Sequence, residues 1–282
     1  MSPAVLTKPR AKTRKYQSVF IDTHCDSVRT TAKSPLRYPG GKSRAAAFLI
    51  DNFIKTPETL CSPFVGGGSI ELELANRGTR VFCYDNFKPL VVFWQELLKN
   101  PKELAEKVQD GYYTLSPTMF YSLQKTFCSI NDRMEQAACF YAINRSSFSG
   151  TTLSGGMSPG HPRFTISSIQ RLREFKINNF TVALMDFTKS IPKHKDDFLY
   201  CDPPYLSDQK LYGVKGNKHI DFDHDALSEL LKARDRWVLS YNDCSEIRKM
   251  YQNYKIVKPE WTYGMGNIKK SNELIILSKD FK

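Results

Sequence analysis

Long apolar runs are absent from this chain of 282 residues: no stretch approaches 18 consecutive apolar residues, and no signal peptide is visible. A helix that crosses the hydrocarbon core of a bilayer needs about 20 such residues. The pattern therefore argues against a membrane-spanning helix. We expect a soluble, intracellular protein of the cytoplasm without a membrane partner.

Paired cysteines are absent as well. The seven cysteines are scattered and odd in number, and none forms a C-x-x-C pair. Neither a disulfide framework nor a zinc site is indicated, and we predict no metal. Several cysteines lie inside apolar runs, which is typical of buried thiols in a reducing compartment.

Acidic residues are missing from the first part of the chain, where none occurs before Asp22 while lysine and arginine cluster between positions 8 and 15. The formal net charge of the whole chain is +12. This excess favours a polyanionic partner, most simply nucleic acid, although a merely solvated basic surface would have the same composition. We interpret residues 1–33 as a flexible basic arm with a short strand at 19–21.

The stretch Asp202-Pro203-Pro204-Tyr205 follows an apolar run at 198–201 that predicts a buried strand. Two prolines end a strand because neither donates to a ladder and each fixes its own φ. The bend would present a carboxylate, a proline carbonyl and an aromatic ring at the carboxyl end of the strand, where open α/β sheets bind ligands. Two acceptors beside a ring suit a flat heterocycle with an amino group; an ordinary proline turn is the alternative.

A glycine turn with a lysine lies at Tyr38-Pro39-Gly40-Gly41-Lys42, before a predicted helix over 44–53. Its Gly-Lys-Ser ending resembles a P-loop, but that motif requires glycine at position 36, which is Leu36. What remains is a turn that lets a tyrosine and a lysine approach a ligand closely.

The next unit predicts a nucleotide-binding half-fold. An apolar run over 60–65 leads into Gly66-Gly67-Gly68-Ser69, a helix over 70–76 and a second strand over 80–84 that ends at Asp85 and Asn86. Asp85 follows the first glycine by 19 residues, which suits a carboxylate bonded to ribose hydroxyls. The loop lacks the G-x-G-x-x-G pattern of dinucleotide sites, and tight strand–helix packing is the alternative explanation of its glycines.

In this order, the three stretches resemble motifs of the Dam-like family of DNA adenine methyltransferases. The matching residues are Tyr38-Pro39-Gly40-Gly41-Lys42, Pro63-Phe64-Val65-Gly66-Gly67-Gly68 with Asp85, and Asp202-Pro203-Pro204-Tyr205. The resemblance extends from about residue 36 to residue 277. One departure is Ser62, since members often carry an acidic residue at that position.

The resemblance implies S-adenosylmethionine as the methyl donor. The cofactor contacts that it implies are Tyr38, Lys42, Pro63, Phe64, Gly66, Gly67, Gly68, Ser69, Asp85, Asn86, Asp186, Phe187 and Asp202. It also implies catalysis by Asp202, Pro203, Pro204 and Tyr205, with the first two accepting hydrogen bonds from the adenine amine and Tyr205 stacking on the base. Asp186 resembles a contact to the adenine of the cofactor, but from the sequence it could equally cap a helix.

Residues 91–179 do not continue the strand–helix pattern. Helical periodicity recurs at 90–108, 119–127 and 134–143, and a polar, glycine-rich segment follows at 144–160. The family has its target-recognition insertion here; without the resemblance, a helical subdomain with a mobile surface loop is the simpler interpretation. Five residues are predicted to contact DNA: Arg145, Phe148, Arg163, Lys269 and Lys270. The last two are expected in a loop between the final strands.

Three further expectations concern the second half of the chain. The polar segment 206–218 is expected to close over the site, and Tyr241 and Asn242 to line the base pocket. The sequence His219-Ile220-Asp221-Phe222-Asp223-His224-Asp225 suggests a metal site, but Asp223 is more simply the N-cap of a helix.

We therefore predict an α/β fold in which residues 34–90 and 180–282 form a doubly wound, mostly parallel Rossmann-like methyltransferase sheet with a helical insertion at 91–179. The expected activity is site-specific methylation of the exocyclic amine of a flipped-out adenine in double-stranded DNA. We expect a monomer, with a separately acting restriction endonuclease as a candidate partner. The alternatives are methylation of the exocyclic amine of cytosine or of RNA, and a catalytically silent DNA-binding protein of the same fold.

Overall fold

The computed structural model describes residues 32–38, 40–153, 155–158, 163–206, 222–259, 262–263, 269–270 and 272–281. These residues belong to one compact unit, Thr31–Lys282. Most of the predicted basic arm with its strand at 19–21, the closing segment after Leu206 and the first part of the suggested metal site lie outside the described residues.

Seven strands of the described chain form one sheet in the order β3-β2-β1-β4-β5-β9-β6. The five strands from β3 to β5 in that order are parallel, and β9 runs antiparallel to both of its neighbours. The strand bounds are β1 (Thr59–Ser62), β2 (Arg80–Asp85), β3 (Phe180–Leu184), β4 (Phe198–Cys201), β5 (Trp237–Asn242), β6 (Lys255–Val257), β7 (Thr262–Tyr263), β8 (Lys269–Lys270) and β9 (Glu273–Leu277). The short strands β7 and β8 pair separately as a hairpin. The predicted mostly parallel sheet is confirmed.

Both faces of the sheet are buried, which explains why its strands are continuous apolar runs. Successive side chains of a strand point to opposite faces. In β5, Val238 belongs to the core on one face, whereas Trp237, Leu239 and Tyr241 belong to the core on the other face. The alternation in β9 is the same. The chain thus buries apolar side chains on both sides of the sheet.

The helices cover the two faces. Their bounds are α1 (Ala46–Leu49), which continues as a π-helical segment (Ile50–Ile54), α2 (Ser69–Asn76), α3 (Lys88–Lys99), α4 (Pro101–Tyr112), α5 (Pro117–Thr126), α6 (Arg133–Ser146), α7 (Ile166–Arg173), α8 (Phe187–Lys193), α9 (His224–Lys232) and α10 (Ser245–Met250). The helical pattern predicted over 90–108 is two helices, because Pro101 has no N–H to continue α3 and instead begins α4. None of the described helices has the length and apolar character needed to cross a membrane.

The N-cap prediction for the segment 219–225 can be compared with the structure, whereas residues 219–221 of the suggested metal site lie outside the described ranges. Asp223 is the N-cap of α9, since its Oδ1 accepts a hydrogen bond from the backbone N–H of Ala226 at 2.8 Å. That prediction is confirmed. In the part of the chain that the structure describes, no group of three or more metal-ligating side chains is found.

The helical insertion shares its core with one face of the sheet. Helix α3 packs against α6 and β3, and α4 packs against α6 and α7. Trp94 of α3 and Phe140 of α6 belong to the same buried cluster as Leu60 of β1. The boundaries predicted for the insertion, 91–179, stay a prediction.

A buried polar contact ties the end of β1 to the start of α2. Ser62, the last residue of β1, is completely buried, and its hydroxyl donates a hydrogen bond to Oε1 of Glu71 at 2.7 Å. Glu71 is only 3 % exposed, and burial raises the pKa of its carboxyl group to about 7, although the Ser62 hydroxyl opposes the shift. This contact joins the two ends of the segment 63–70, which contains the glycine loop.

Replacing Glu71 by glutamine should change how stability depends on pH. Folding raises the pKa of the Glu71 carboxyl group from 4.5 to about 7. Between these two values the folded chain holds a proton that the unfolded chain has released, so the free energy of unfolding falls as the pH rises. The stability of Glu71→Gln relative to the natural chain should therefore increase by about 3 kcal/mol between pH 4 and pH 8, at about 1.4 kcal/mol per pKa unit. Urea unfolding at both pH values measures this difference.

Glu73→Gln removes a half-exposed carboxylate from the same helix and controls for the altered helix charge. A stability difference between Glu71→Gln and the natural chain that is equal at pH 4 and pH 8 would contradict the raised pKa of Glu71.

Candidate active site

The carboxyl ends of three neighbouring parallel strands, β2, β1 and β4, bring the glycine loop, Asp85 and the stretch Asp202-Pro203-Pro204-Tyr205 to one edge of the sheet, and the glycine turn lies beside them. Between β1 and β4 the strand order reverses its direction, and open α/β sheets bind ligands at such a switch point. A cavity of about 230 Å³ lies here. Its lining includes most of the predicted site residues, namely Tyr38, Lys42, Phe64, Gly66, Gly67, Gly68, Ser69, Asp85, Asn86, Asp202, Pro203, Pro204 and Tyr205.

The glycine loop has a backbone that only glycine can adopt here without strain. Gly66 and Gly68 have φ values of +45° and +66°. A Cβ atom on Gly66 would lie 3.0 Å from the ring of Tyr38, and one on Gly68 would lie 3.1 Å from the ring of Trp94. Trp94 also donates from Nε1 to the carbonyl oxygen of Gly66 at 3.1 Å. The loop is thus packed between two aromatic rings and presents backbone to the cavity.

Asp85, at the end of β2, accepts a hydrogen bond from the same loop. Its Oδ2 accepts from the N–H of Gly66 at 3.3 Å and its Oδ1 accepts from the N–H of Phe87 at 2.9 Å. These bonds set the carboxylate at the cavity wall beside Asn86. A carboxylate in this place can accept hydrogen bonds from ligand hydroxyl groups.

A buried ammonium group joins the glycine turn to the stretch Asp202-Pro203-Pro204-Tyr205. Nζ of Lys42 lies 2.9 Å and 2.8 Å from the two carboxylate oxygens of Asp202, and 2.8 Å from the hydroxyl of Tyr205. It lies 3.4 Å from Oε1 of Glu273, which also accepts a hydrogen bond from the Tyr205 hydroxyl at 2.7 Å. Lys42 is 2 % exposed. Three protons of one ammonium group therefore serve four oxygen atoms.

The protonation states of this cluster follow from burial and from the opposite charges. Burial would lower the pKa of Lys42, but the carboxylates of Asp202 and Glu273 outweigh it and raise the pKa, so the ammonium form persists. Burial raises the pKa of Asp202; the ammonium of Lys42 opposes this change and the charge of Glu273 adds to it. Burial and both carboxylates raise the pKa of Tyr205, which keeps its hydroxyl protonated as a donor.

Glu273 and Glu71 are site residues that the sequence analysis missed. The sequence analysis did not single out Glu273, and Glu71 lies there only within the predicted helix over 70–76. The signal in both cases was an acidic residue next to or within a buried apolar run, which is rare unless the charge has a partner. Glu71 also lines the cavity and brings its carboxyl group to Ser62, where the related family often has an acid.

Some predicted contacts lie outside the cavity lining. Pro63 and Phe187 are buried behind it, with Phe187 packed on the ring of Phe64 at a centroid distance of 5.7 Å. Asp186 caps α8, since its Oδ1 accepts from the N–H of Thr188 at 3.0 Å. A cofactor contact by these three residues stays a prediction.

Tyr241 is fully buried and packs behind Tyr205 at a ring distance of 6.0 Å, outside the cavity lining, and its predicted place in the base pocket stays a prediction. Asn242 does not line the cavity either. Its Nδ2 donates to the carbonyl oxygen of Leu206 at 2.7 Å. Both side chains therefore support the stretch that follows β4 from behind.

The predicted DNA-contacting residues differ in their surroundings. Phe148 is 65 % exposed on the loop after α6. The guanidinium group of Arg145 donates to the carbonyl oxygens of Arg163 and Pro35, so it supports the backbone of two loops. Arg163 is exposed.

Lys269 and Lys270 form strand β8 rather than the predicted loop, and their side chains lie outside the described residues. A role in DNA binding stays a prediction for all five residues predicted to contact DNA.

Asn144 joins the insertion to the segment that carries Lys42. Its Oδ1 accepts from the N–H of Arg37 at 2.9 Å, and its Nδ2 donates to the carbonyl oxygen of Arg37 at 2.7 Å and to Oγ1 of Thr152 at 3.0 Å. Gly150 packs against the same carbonyl group, with a φ of +74° and no room for a Cβ atom. The cavity wall around Gly150 is thereby fixed relative to the glycine turn.

Comparison with known proteins identifies the family to which the chain belongs. Residues 38–265 match the model of the D12 class N6 adenine-specific DNA methyltransferases. The chain is 23 % identical over 239 residues to the DNA adenine methylase of Haemophilus influenzae, covering 78 % of this chain and 83 % of that protein. It is 24 % identical over 266 residues to the DNA adenine methylase of Salmonella typhimurium, covering 86 % and 94 %.

A third relative is the type II methyltransferase M1.LlaDCHI of Lactococcus lactis subsp. cremoris, with 24 % identity over 227 residues, 72 % of this chain and 79 % of that protein. The family match spans the glycine turn, the glycine loop and the stretch Asp202-Pro203-Pro204-Tyr205, which the fold assembles around one cavity. The chain therefore belongs to the D12 class of N6 adenine-specific DNA methyltransferases, enzymes that move a methyl group from a donor to the exocyclic amine of adenine in DNA.

Proposed function

We propose that the methyl donor is S-adenosylmethionine and that it binds in the cavity at the ends of β2, β1 and β4. The observation that carries this proposal is that the glycine loop, Asp85 and the Lys42–Asp202 pair all open onto one cavity. The donor contacts and the catalytic group would then be neighbours, as a transfer between two bound molecules requires.

The residues fit this donor. A glycine loop without side chains admits a ligand close to its backbone, and Asp85 offers acceptors to ribose hydroxyls. The charged groups that line the cavity are the carboxylates of Asp85 and Asp202 and the ammonium of Lys42, and the carboxyl group of Glu71, whose pKa burial raises to about 7, adds only part of a negative charge at neutral pH. Such an excess of acidic groups favours a positively charged sulfonium compound over its neutral thioether product.

When bound, S-adenosylmethionine supplies a methyl group on a positively charged sulfur, which a nucleophile can displace. The exocyclic amine of adenine is a weak nucleophile because its lone pair is shared with the ring. Asp202 and the Pro203 carbonyl oxygen accept hydrogen bonds from the two amine protons, which favours a pyramidal nitrogen with a localised lone pair. Lys42 holds the Asp202 carboxylate in place, so positioning supplies much of the rate.

The target adenine must leave the duplex, because its amine cannot reach a cavity-lining carboxylate while it is stacked and paired. The ring of Tyr205 is available for stacking on the extruded base, and its hydroxyl is anchored by Lys42 and Glu273. Phe222 lines the cavity on the same side and adds an apolar surface.

An arginine patch beside the cavity supports a DNA-binding face. Burial lowers the pKa of the Arg37 guanidinium, and the nearby charges of Arg163 and Arg145 lower it further. Burial also lowers the pKa of Arg145, and the charges of Arg171 and Arg163 act in the same sense. Within the described ranges, no ion pair joins any of these four arginines to a carboxylate. Unneutralised guanidinium groups of this kind suit DNA phosphates.

Phe148 extends from the loop between this patch and the cavity wall, and 65 % of its surface is exposed. An exposed aromatic ring beside a base-extruding site suits insertion between base pairs, where it would replace the stacking of the extruded adenine. We further propose that the enzyme acts inside the cell as a monomer. A separate restriction endonuclease as its partner agrees with the type II name of one relative.

Asp202→Ala should abolish methyl transfer and leave a folded protein that still binds DNA. The fold should survive because Lys42 keeps Glu273 and Tyr205 as partners. Transfer of tritium from labelled S-adenosylmethionine to duplex DNA measures turnover, and a gel-shift titration measures binding. Substantial turnover in this variant would refute the hydrogen-bonding role of Asp202.

Asp85→Ala should weaken the binding of S-adenosylmethionine by about 1.5–3 kcal/mol, the worth of a hydrogen bond to a charged group. Calorimetric titration measures the affinity. Asp132→Ala is a matched control, since Asp132 is the N-cap of α6 and lies outside the cavity lining. It should lower stability by about 1 kcal/mol and leave the affinity unchanged. Unchanged affinity in Asp85→Ala would remove the ribose assignment.

Arg163→Gln should reduce the salt dependence of DNA binding by about one unit of log–log slope for each phosphate that Arg163 neutralises. Cognate and scrambled duplexes should be weakened nearly equally, because phosphates carry no sequence information. The measurement is duplex affinity at several salt concentrations. Arg77→Gln serves as the control, because Arg77 is paired with Asp51 and Glu73 at the opposite end of α2 from the glycine loop. An unchanged slope in Arg163→Gln would show that Arg163 contacts no phosphate.

A further inference from the structure

Glu273 holds a place behind the active site that is unusual for a carboxylate. It is the first residue of β9, which pairs with β5 through Asn242 opposite Glu273. It is 6 % exposed and does not line the cavity. Burying a carboxylate carries a desolvation cost that only close polar partners compensate.

Among the described residues, Glu273 has as partners the two groups that flank Asp202. Oε1 of Glu273 accepts the proton of the Tyr205 hydroxyl at 2.7 Å and lies 3.4 Å from the Lys42 ammonium. The Tyr205 hydroxyl in turn accepts from Lys42 at 2.8 Å. These bonds form a closed triangle that links the glycine turn, the stretch after β4 and the start of β9.

The triangle restricts two motions that would harm methyl transfer. Tyr205 has two rotatable side-chain bonds, and holding its hydroxyl in place fixes the direction in which the ring extends from the backbone. Lys42 has four rotatable side-chain bonds. Its ammonium group is held between the carboxylates of Asp202 and Glu273, so it cannot follow Asp202 freely. Displacements of about 1 Å in a reacting group can cost about 100-fold in rate.

We propose that Glu273 is a positioning residue for methyl transfer: by anchoring Lys42 and the Tyr205 hydroxyl, it sets the placement of the Asp202 carboxylate and of the Tyr205 ring. The proposal rests on the function assigned above to Asp202 and Tyr205. Glu273 itself touches neither substrate nor donor, and it acts through these neighbours.

Two variants and one control test the proposal. Glu273→Gln keeps an acceptor for Tyr205 but removes the negative charge, whereas Glu273→Ala removes both. Glu96→Gln is the matched control, because Glu96 is 8 % exposed and paired with Arg133 at 2.8 Å outside the site. For each protein we would measure the turnover rate at saturating DNA and donor, the two affinities, and the pH profile of the turnover rate.

The turnover rate should fall about 10-fold in Glu273→Gln and about 100-fold in Glu273→Ala, with DNA affinity unchanged, and stay unchanged in Glu96→Gln. The charged and titratable groups around Asp202 are Lys42, Glu273, Tyr205 and Glu71. Since Glu273 raises the pKa of Asp202, the acidic limb of the profile should move to lower pH in Glu273→Gln. A purely structural role would lower the rate without moving this limb.

An unchanged turnover rate in Glu273→Gln, or a reduced rate with an unmoved acidic limb, would overturn the proposal. If Glu273→Ala does not fold, Glu273→Gln decides. The result for Asp202→Ala distinguishes failure of the proposed site from failure of the role of Glu273. An active Asp202→Ala variant refutes the proposed site. An inactive Asp202→Ala variant together with a fully active Glu273→Gln variant refutes only the role of Glu273.

Discussion

The buried ammonium group of Lys42 makes the interactions on which the proposed active site depends. It is held between Asp202, Tyr205 and Glu273, and removing a charge from water in this way is favourable only with several close partners. Those partners come from two other parts of the chain. The glycine turn, the stretch after β4 and the last strand must therefore all be in place before the ammonium is satisfied, and this couples the formation of the site to the formation of the sheet.

Crowding around the glycine loop is the second constraint. The rings of Tyr38 and Trp94 lie so near that a Cβ atom at Gly66 or Gly68 would be in unusually tight contact, and both residues also have a positive φ. Glycine therefore serves two purposes here, close packing and open backbone at the cavity. Tight packing and ligand binding are therefore compatible explanations of these glycines.

The helical insertion is part of the site as well as of the proposed DNA-binding face. Asn144 of α6 holds both backbone polar groups of Arg37, five residues before Lys42. The loop that follows α6 forms one wall of the cavity around Gly150 and also carries the exposed Phe148. A displacement of this loop would also displace the cavity wall, because Asn144 is hydrogen-bonded both to the backbone of Arg37 and to Thr152.

Three features could be predicted from the amino-acid sequence: the mostly parallel sheet, the glycine loop followed by Asp85, and the proline bend after β4. Each depends on local rules, namely apolar runs, glycine φ values and the missing N–H of proline. Which distant side chains meet is visible only in the folded chain. Glu273 lies 231 residues from Lys42, and Glu71 reaches back across the loop to Ser62. Sequence periodicity does not predict such contacts, because strand order and the burial of charge bring these side chains together, not local conformational preference.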